Sequence, residues 1–331
     1  MSRTSRYAFI MAKVYGIISR SFVGANYRDL LRLKSLAELS ERLFPGEHAQ
    51  SANAPLPIDL EARIVQSSIE AMTYVLDYFK DPPPILVHTA RKLEYQNVKS
   101  VVRGIAHGRL DNLRIWDLGK YASVRLSDGR DYEKAIAGSP YAWVLPLLGT
   151  LPLAQVENRL DRDYYDRFMQ LARALPARDR AGVVRLANAE IALVNVIWAL
   201  RLRFYFKLDA AKAAGLLIGG TSSSVRSAIA EAFEIPSDST DGWRKWRYGW
   251  LLEDQLADSF TAPDPMRAEQ KASQALYARA HLAFHQNPFT LGPLVAYFKL
   301  KEYEASLLGI AVEALRLSVP GQDVLDIVGS G

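Results

Sequence analysis

The chain has 331 residues, 49% of them hydrophobic, with 41 basic and 36 acidic side chains for a net charge of +5. That is enough apolar material for a sizeable core spread over about two or three domains, and too even a charge balance to demand a nucleic-acid partner. There is no cysteine, which excludes disulfides, thiolate metal sites and cysteine nucleophiles.

Helix signals dominate from the start, and strand-like alternation is nearly absent, so the chain reads as all-α. The opening MSRTSRYAFIMAKVYG carries Arg6 and Lys13 and is too interrupted for a signal peptide. Ser35-Leu-Ala-Glu38 has the spacing of a capping box and begins a short helix over 35–44, which Pro45-Gly46 stops. A long amphipathic helix follows over 58–79. After Pro82 to Pro84 comes KLEYQNVKSVVRGI (92–105), a third and distinctive helix. The same order returns in the second third: a short helix over 139–148, a long one over 154–175, and, beyond Pro176, EIALVNVIWALRLR (190–203). It returns again as 223–233, then 266–286, then LKEYEASLLGIAVEAL (300–315) after Gly292-Pro293. Short, long, signature, three times over: one supersecondary unit copied and joined. The division is 1–115, 116–215 and 216–331, with the irregular, tryptophan-rich stretch 234–264 read as a surface excursion of the third unit.

No segment reaches the roughly 18 consecutive apolar residues of a membrane span. YAWVLPLLGTLPLA is broken by Pro146 and Pro152, and the run before Arg201 contains Asn195.

On a helical wheel the three signature helices share one stripe. It holds Glu94, Val98, Val101 and Ile105 in the first, Ala192, Val196 and Ala199 in the second, and Glu304, Leu308, Ala311 and Leu315 in the third. Glu94 and Glu304 stand on that apolar stripe near a helix start, where a carboxylate is tolerated provided it is hydrogen-bonded or paired. Asn97 and Asn195 match between the first two copies, and Arg103, Arg201 and Glu313 occupy the opposite, polar side. Their chemistry reads as architecture and as contact between subunits.

Motifs suggestive of catalysis or cofactors do not complete. Gly215-Leu-Leu-Ile-Gly-Gly220 is followed by Thr221 where a phosphate loop needs lysine, so it reads as a helix-ending glycine turn. His281 and His285 share a helix face, but the zinc-protease glutamate is replaced by Leu282 and no third ligand is adjacent. Asp161, Asp163 and Asp166 lie among Arg159, Arg162 and Arg167, as on a solvated, salt-bridged face. No serine lies in a G-x-S-x-G context, and no catalytic constellation, cofactor or small-molecule substrate is expected. Trp243, Trp246 and Trp250, at i, i+3 and i+7 with Arg244, Lys245 and Arg247 between them, leave three readings open. One is a helix docking its aromatic stripe into the core; the others are a contact with a partner or a membrane rim and stacking on nucleic acid.

At these residues a family resemblance emerges. The chain resembles the central-stalk connector of rotary V/A-type ATPases, known as the d subunit in eukaryotic enzymes and the C subunit in archaeal and bacterial ones. YAFIMAKVYGIIS and LLRLKSLAELSERL are similar to its opening helices, Glu94, Asn97 and Arg103 to its signature helix, and VENRLDRDYYDRF to the lead helix of its second unit. GPLVAYFKLKEYEASLLGI, with Pro293, Tyr297, Lys301, Glu302 and Glu304, followed by VPGQDVLDIV, is the fullest match. The chain departs from the pattern at Ala192, which replaces the second acid, and at Leu307, Gly309 and Glu313. The resemblance implies a funnel of three pseudo-equivalent helical units around a pseudo-threefold axis, present in one copy per complex. It would lie peripherally on the cytoplasmic face of the membrane, docking the central axle subunits onto the membrane rotor ring. It would transmit torque for ATP-coupled proton or sodium transport, without a catalytic site of its own and without nucleic acid. A helical-repeat scaffold or RNA-binding protein unrelated to the ATPase is the alternative.

Overall fold

A computed structural model describes residues 3–23, 25–30, 32–46, 57–111, 113–126, 131–257 and 259–321. In chain order the helices are α1 (Arg3–Ile18), α2 (Ala25–Leu30), α3 (Leu36–Leu43), α4 (Pro57–Leu76), α5 (Pro84–Ala90), α6 (Lys92–His107) and α7 (Tyr132–Ala137). They continue with α8 (Leu153–Arg173), α9 (Ala177–Phe204), α10 (Ala210–Ala214), α11 (Ser223–Glu234), α12 (Thr240–Lys245), α13 (Pro265–Phe284) and α14 (Gly292–Arg316). Among the described residues there is no strand, only an isolated bridge between Leu148 and Leu151.

The breakers act where the sequence places them. Ser35 caps α3 by accepting the Glu38 amide, and Glu38 reaches back at 2.8 Å to the amide of Lys34, one residue before the cap, a displaced form of the capping box. Pro84, Pro265 and Pro293 stand in the first turns of α5, α13 and α14, where a missing amide proton costs nothing. The short element expected over 139–148 is instead a 3-10 turn, Ala142–Leu147. Pro146 lies inside it and has no amide to donate into an α-helical ladder.

Packing groups the helices into two compact units, and it does not follow chain order. The first comprises the chain up to Ala90, Trp116–Tyr121 and everything from Ala280 onward. Here the last signature helix, α14, runs along α4 and also meets α3. Leu307, Leu308, Ala311 and Val312 interlock with Leu60, Ile64, Leu39 and Leu30. The second unit comprises Arg91–Ile115 and Ala122–Arg279, with α6 on α8, α8 on α9, and α9 on α11. Each fully buried Leu, Ile or Val in these seams contributes at most about 1.5–3 kcal/mol.

By length and composition α9 is apolar enough to cross a membrane, despite the interruption at Asn195. In the fold, 61% of its most apolar window is buried inside the protein. Its hydrophobicity serves the core of the second unit, where Val196, Ala199 and Leu200 lie.

All three signature helices finish in a left-handed residue: Gly108 (φ 63°), Lys207 (φ 53°) and Ser318 (φ 54°). Only the first copy uses glycine, which adopts this conformation without the side-chain penalty of about 1–2 kcal/mol. Lys207→Gly and Ser318→Gly should therefore each raise stability by about 0.5–1 kcal/mol in urea unfolding. An unchanged or lowered midpoint would show that these turns carry no strain.

Candidate functional site: the anchored signature helices

The polar residues on the signature helices have one job in common. Each helix buries a side chain that binds the backbone of a segment distant in the chain. Glu94, 1% exposed, does this in α6. Its Oε2 accepts the amides of Ser123 (2.6 Å) and Val124 (3.4 Å). Its Oε1 accepts the hydroxyls of Ser123 and, at 2.7 Å, Tyr141. Burial, with the Glu94 charge next in weight, pushes the Tyr141 phenol well above its ordinary range, so it stays a donor.

In α9 the acid position is Ala192, and the same task passes to Asn195 one turn later. Asn195 is fully buried and brackets Ile218: its Oδ1 accepts the Ile218 amide at 2.8 Å, and its Nδ2 donates to the Ile218 carbonyl at 3.0 Å. The glycine-rich stretch 215–220 is thus the lead-in of the third repeat, held by α9. In α14 the acid returns. Glu304, 4% exposed, accepts the Phe22 amide at 2.7 Å and pairs with Lys301, whose side chain is only 12% exposed. Glu302, beside them, pairs with Lys299. The first signature helix therefore holds the backbone at Ser123 and Val124, the second holds Ile218, and the third holds Phe22.

A second set of contacts keeps the same register. Arg103 on α6 pairs with Glu157, and Arg201 on α9 pairs with Glu269. Both glutamates are the fifth residue of a long helix, α8 and α13. The fifth residue of α4 is Glu61, whose charge acts on Arg316 at the end of α14. Glu313 occupies the arginine position of the third copy and pairs with Arg316. The inversion at Glu313 is thus offset one turn later. Arg201 and Glu269 are about a third and a half exposed, so solvent screens them. Arg201→Met should cost no more than about 1 kcal/mol, and adding salt should erase most of that difference. A loss that persists in high salt would indicate packing by the arginine stem instead.

Asn97 is buried on α6. Nearby, Lys92 and Tyr165 both contact the buried Glu190, Lys99 pairs with Asp161, and the Tyr95 hydroxyl donates to Asp163 at 2.6 Å. Asp161 and Asp163 of α8 are therefore tied to α6 by an ion pair and a hydrogen bond, while burial pushes Asp166 upward.

The tryptophan segment is corrected by the structure. α12 ends at Lys245, so Trp243, Trp246 and Trp250 do not share one helical stripe. Trp243 and Trp246 are buried edge-to-face, their indoles donating to the Pro236, Ser237 and Ala228 carbonyls. The stretch contributes these two rings to the core of the second unit, as the docking reading expects, and they are unavailable to a rim contact. Arg244, Lys245, Arg247 and Trp250 are exposed.

His281 and His285 stack edge-to-face at 4.8 Å between ring centroids. Burial, then the charge of His285, holds His281 below its ordinary pKa. Its proton is bound more tightly in the unfolded chain. Stability from this site is therefore complete above about pH 6.5 and declines as pH falls toward the lower folded value. His281→Gln should flatten that decline in thermal unfolding between pH 7.5 and 5; an unaltered pH profile would rule the site out as its source. Among the described residues no group of three metal-ligating side chains occurs.

Comparison with known proteins follows the same outline. The family described as ATP synthase (C/AC39) subunit matches residues 10–326. An uncharacterized protein of Treponema pallidum (strain Nichols) is 25% identical over 304 residues, covering 90% of this chain and 89% of its own. The C subunit of the A-type ATP synthase of Haloferax volcanii is 25% identical over 326 residues, with 89% of each chain covered. That of Methanosarcina mazei is 20% identical over 342 residues, covering 93% of this chain and 88% of its own. Residues 322–328, the end of the VPGQDVLDIV match, lie outside the described residues.

Proposed function

Because the chain belongs to the ATP synthase C/AC39 subunit family of V/A-type ATPases, we propose that it works as the non-catalytic connector of the central stalk, docking the rotating axle onto the membrane rotor ring. One copy serves each complex, held peripherally at the cytoplasmic face through the ring, and it transmits torque for ATP-coupled proton or sodium transport. The observation that carries this reading is the cyclic order of the anchors. Glu94 holds the second repeat, Asn195 the third, and Glu304 returns to the first. An open solenoid has a first and a last repeat, each with one unsatisfied end. Here the last signature helix completes the first repeat, which supports three units, 1–115, 116–215 and 216–331, closed around a pseudo-threefold axis as a funnel. A closed unit resists twist better than an open one, because no terminal seam is free to slide.

Affinity-tagged chain isolated from its own membranes should carry the rotor-ring and axle subunits in fixed ratio, and the purified chain should hydrolyse no ATP. Robust ATPase activity of the isolated chain would sink the proposal. So would purification free of ATPase subunits together with RNA binding that falls steeply with salt, the signature of the scaffold alternative.

A further inference from the structure

The three signature helices are built alike, and the first leaves a concave site at its end. Gly104 in α6 is matched by Leu202 in α9 and Ala314 in α14, and His107 by Tyr205 and Leu317. A Cβ on Gly104 would lie 2.8 Å from the Arg109 carbonyl, 2.8 Å from a Leu110 methyl and 3.3 Å from a Leu113 methyl. The missing side chain is therefore what lets the chain turn at Gly108 and fold back over the last turn of α6. Between helix and returning segment lies a concave volume of about 550 Å³ lined by Ser100, Arg103, Gly104, His107, Arg109 and Leu113.

We propose that this groove is a docking site for an acidic, partly apolar segment of a neighbouring protein in the assembly. The proposal rests on the chain acting as an assembly component of the ATPase. Its chemistry is one-signed: two arginines, a histidine and a serine hydroxyl line it, and among the described lining residues there is no carboxylate. Glu157, outside the lining, holds Arg103 through both Nε and Nη2 and keeps its guanidinium fixed. Asp111 is the other acid close in sequence. Gly104 and Leu113 give the floor an apolar part, so an anion alone would leave it uncovered. A segment presenting one carboxylate to Arg109 and His107, with an aliphatic side chain against Leu113, satisfies both. Neither of the other signature helices repeats this chemistry at the matching positions, so the site marks one of the three. A pseudo-symmetric adaptor needs such a mark to seat an asymmetric partner in one orientation.

The test uses the assembled membrane complex. Arg109→Lys places a primary amine in the groove, and a zero-length carbodiimide then joins amines to carboxylates in direct contact. The expected product is an isopeptide link from the introduced lysine to an Asp or Glu of another ATPase chain, absent in unsubstituted complex. Arg109→Glu should lower retention of the chain on the complex several-fold at physiological salt. Gly104→Ala should do the same and also abolish the cross-link, since the returning segment is displaced. If Gly104→Ala lowers the chain's own stability, Arg109→Glu on the exposed rim still decides the matter. An assembled complex in which the introduced lysine links only within its own chain would overturn the docking site while leaving the assembly role intact. Failure of the unsubstituted chain to assemble would overturn the assembly role itself. Millimolar or tighter binding of inorganic phosphate to the isolated chain, lost in Arg109→Glu, would overturn the docking site in favour of a free phosphate ligand.

Discussion

Replacing Glu94 by alanine should destabilise the second unit by roughly 3–5 kcal/mol, the range expected when a buried carboxylate is withdrawn from its partners. Two amides and two hydroxyls converge on it, and water has little access to replace it at 1% exposure. Glu94→Gln should be much milder, about 1–2 kcal/mol. The two amides share Oε2, so a glutamine can turn its carbonyl toward them. Its NH2 then faces the Ser123 and Tyr141 hydroxyls, which can rotate to accept. Urea unfolding gives the sizes, and hydrogen exchange gives the place: the Ser123 and Val124 amides should lose protection first in Glu94→Ala. If alanine and glutamine cost the same, the hydrogen-bond account of this site is wrong.

Removal of Glu304 should be of similar size in the first unit, again about 3–5 kcal/mol for alanine. The loss has two parts. The Phe22 amide loses its acceptor, and the Lys301 ammonium is left with its main counter-charge gone in a site only 12% exposed. Combining Glu304→Gln with Lys301→Met should therefore be less harmful than Glu304→Ala alone, because no lone charge remains buried. A double variant worse than the single would show that the pair is stabilising in itself. Glu304 also joins residues 282 positions apart in the chain, so its loss should loosen the N-terminal segment, visible as faster exchange at Phe22.

These two residues show how far the sequence could be read. Glu94 and Glu304 stood out because an acid on an apolar stripe must have partners, and the structure supplies them. Asn195 was visible only as a match to Asn97; that it takes over from the missing acid at Ala192 depends on Ile218, a residue with no signal of its own. Glu157 and Glu269 carried none either, since a glutamate in the first turns of an amphipathic helix is ordinary. The tryptophans left their role open because periodicity assumes a continuous helix; α12 stops at Lys245, and two of the three rings enter the core. Gly104 carries no signal for a related reason: a glycine within a helix says nothing until a second segment crosses it.

The sequence by itself determined what local physics controls. Prolines and caps placed the helix ends, and apolar spacing marked the core faces. Which helix completes which repeat was decided only in three dimensions. Propensity and periodicity act over a few residues, and they are blind to whether α14 packs against its own long helix or against α4. That choice follows from burial of Leu307, Leu308, Ala311 and Val312 against Leu60 and Ile64, together with one carboxylate reaching the Phe22 amide. Such contacts depend on the summed fit of distant surfaces, and no window along the chain contains both sides of them.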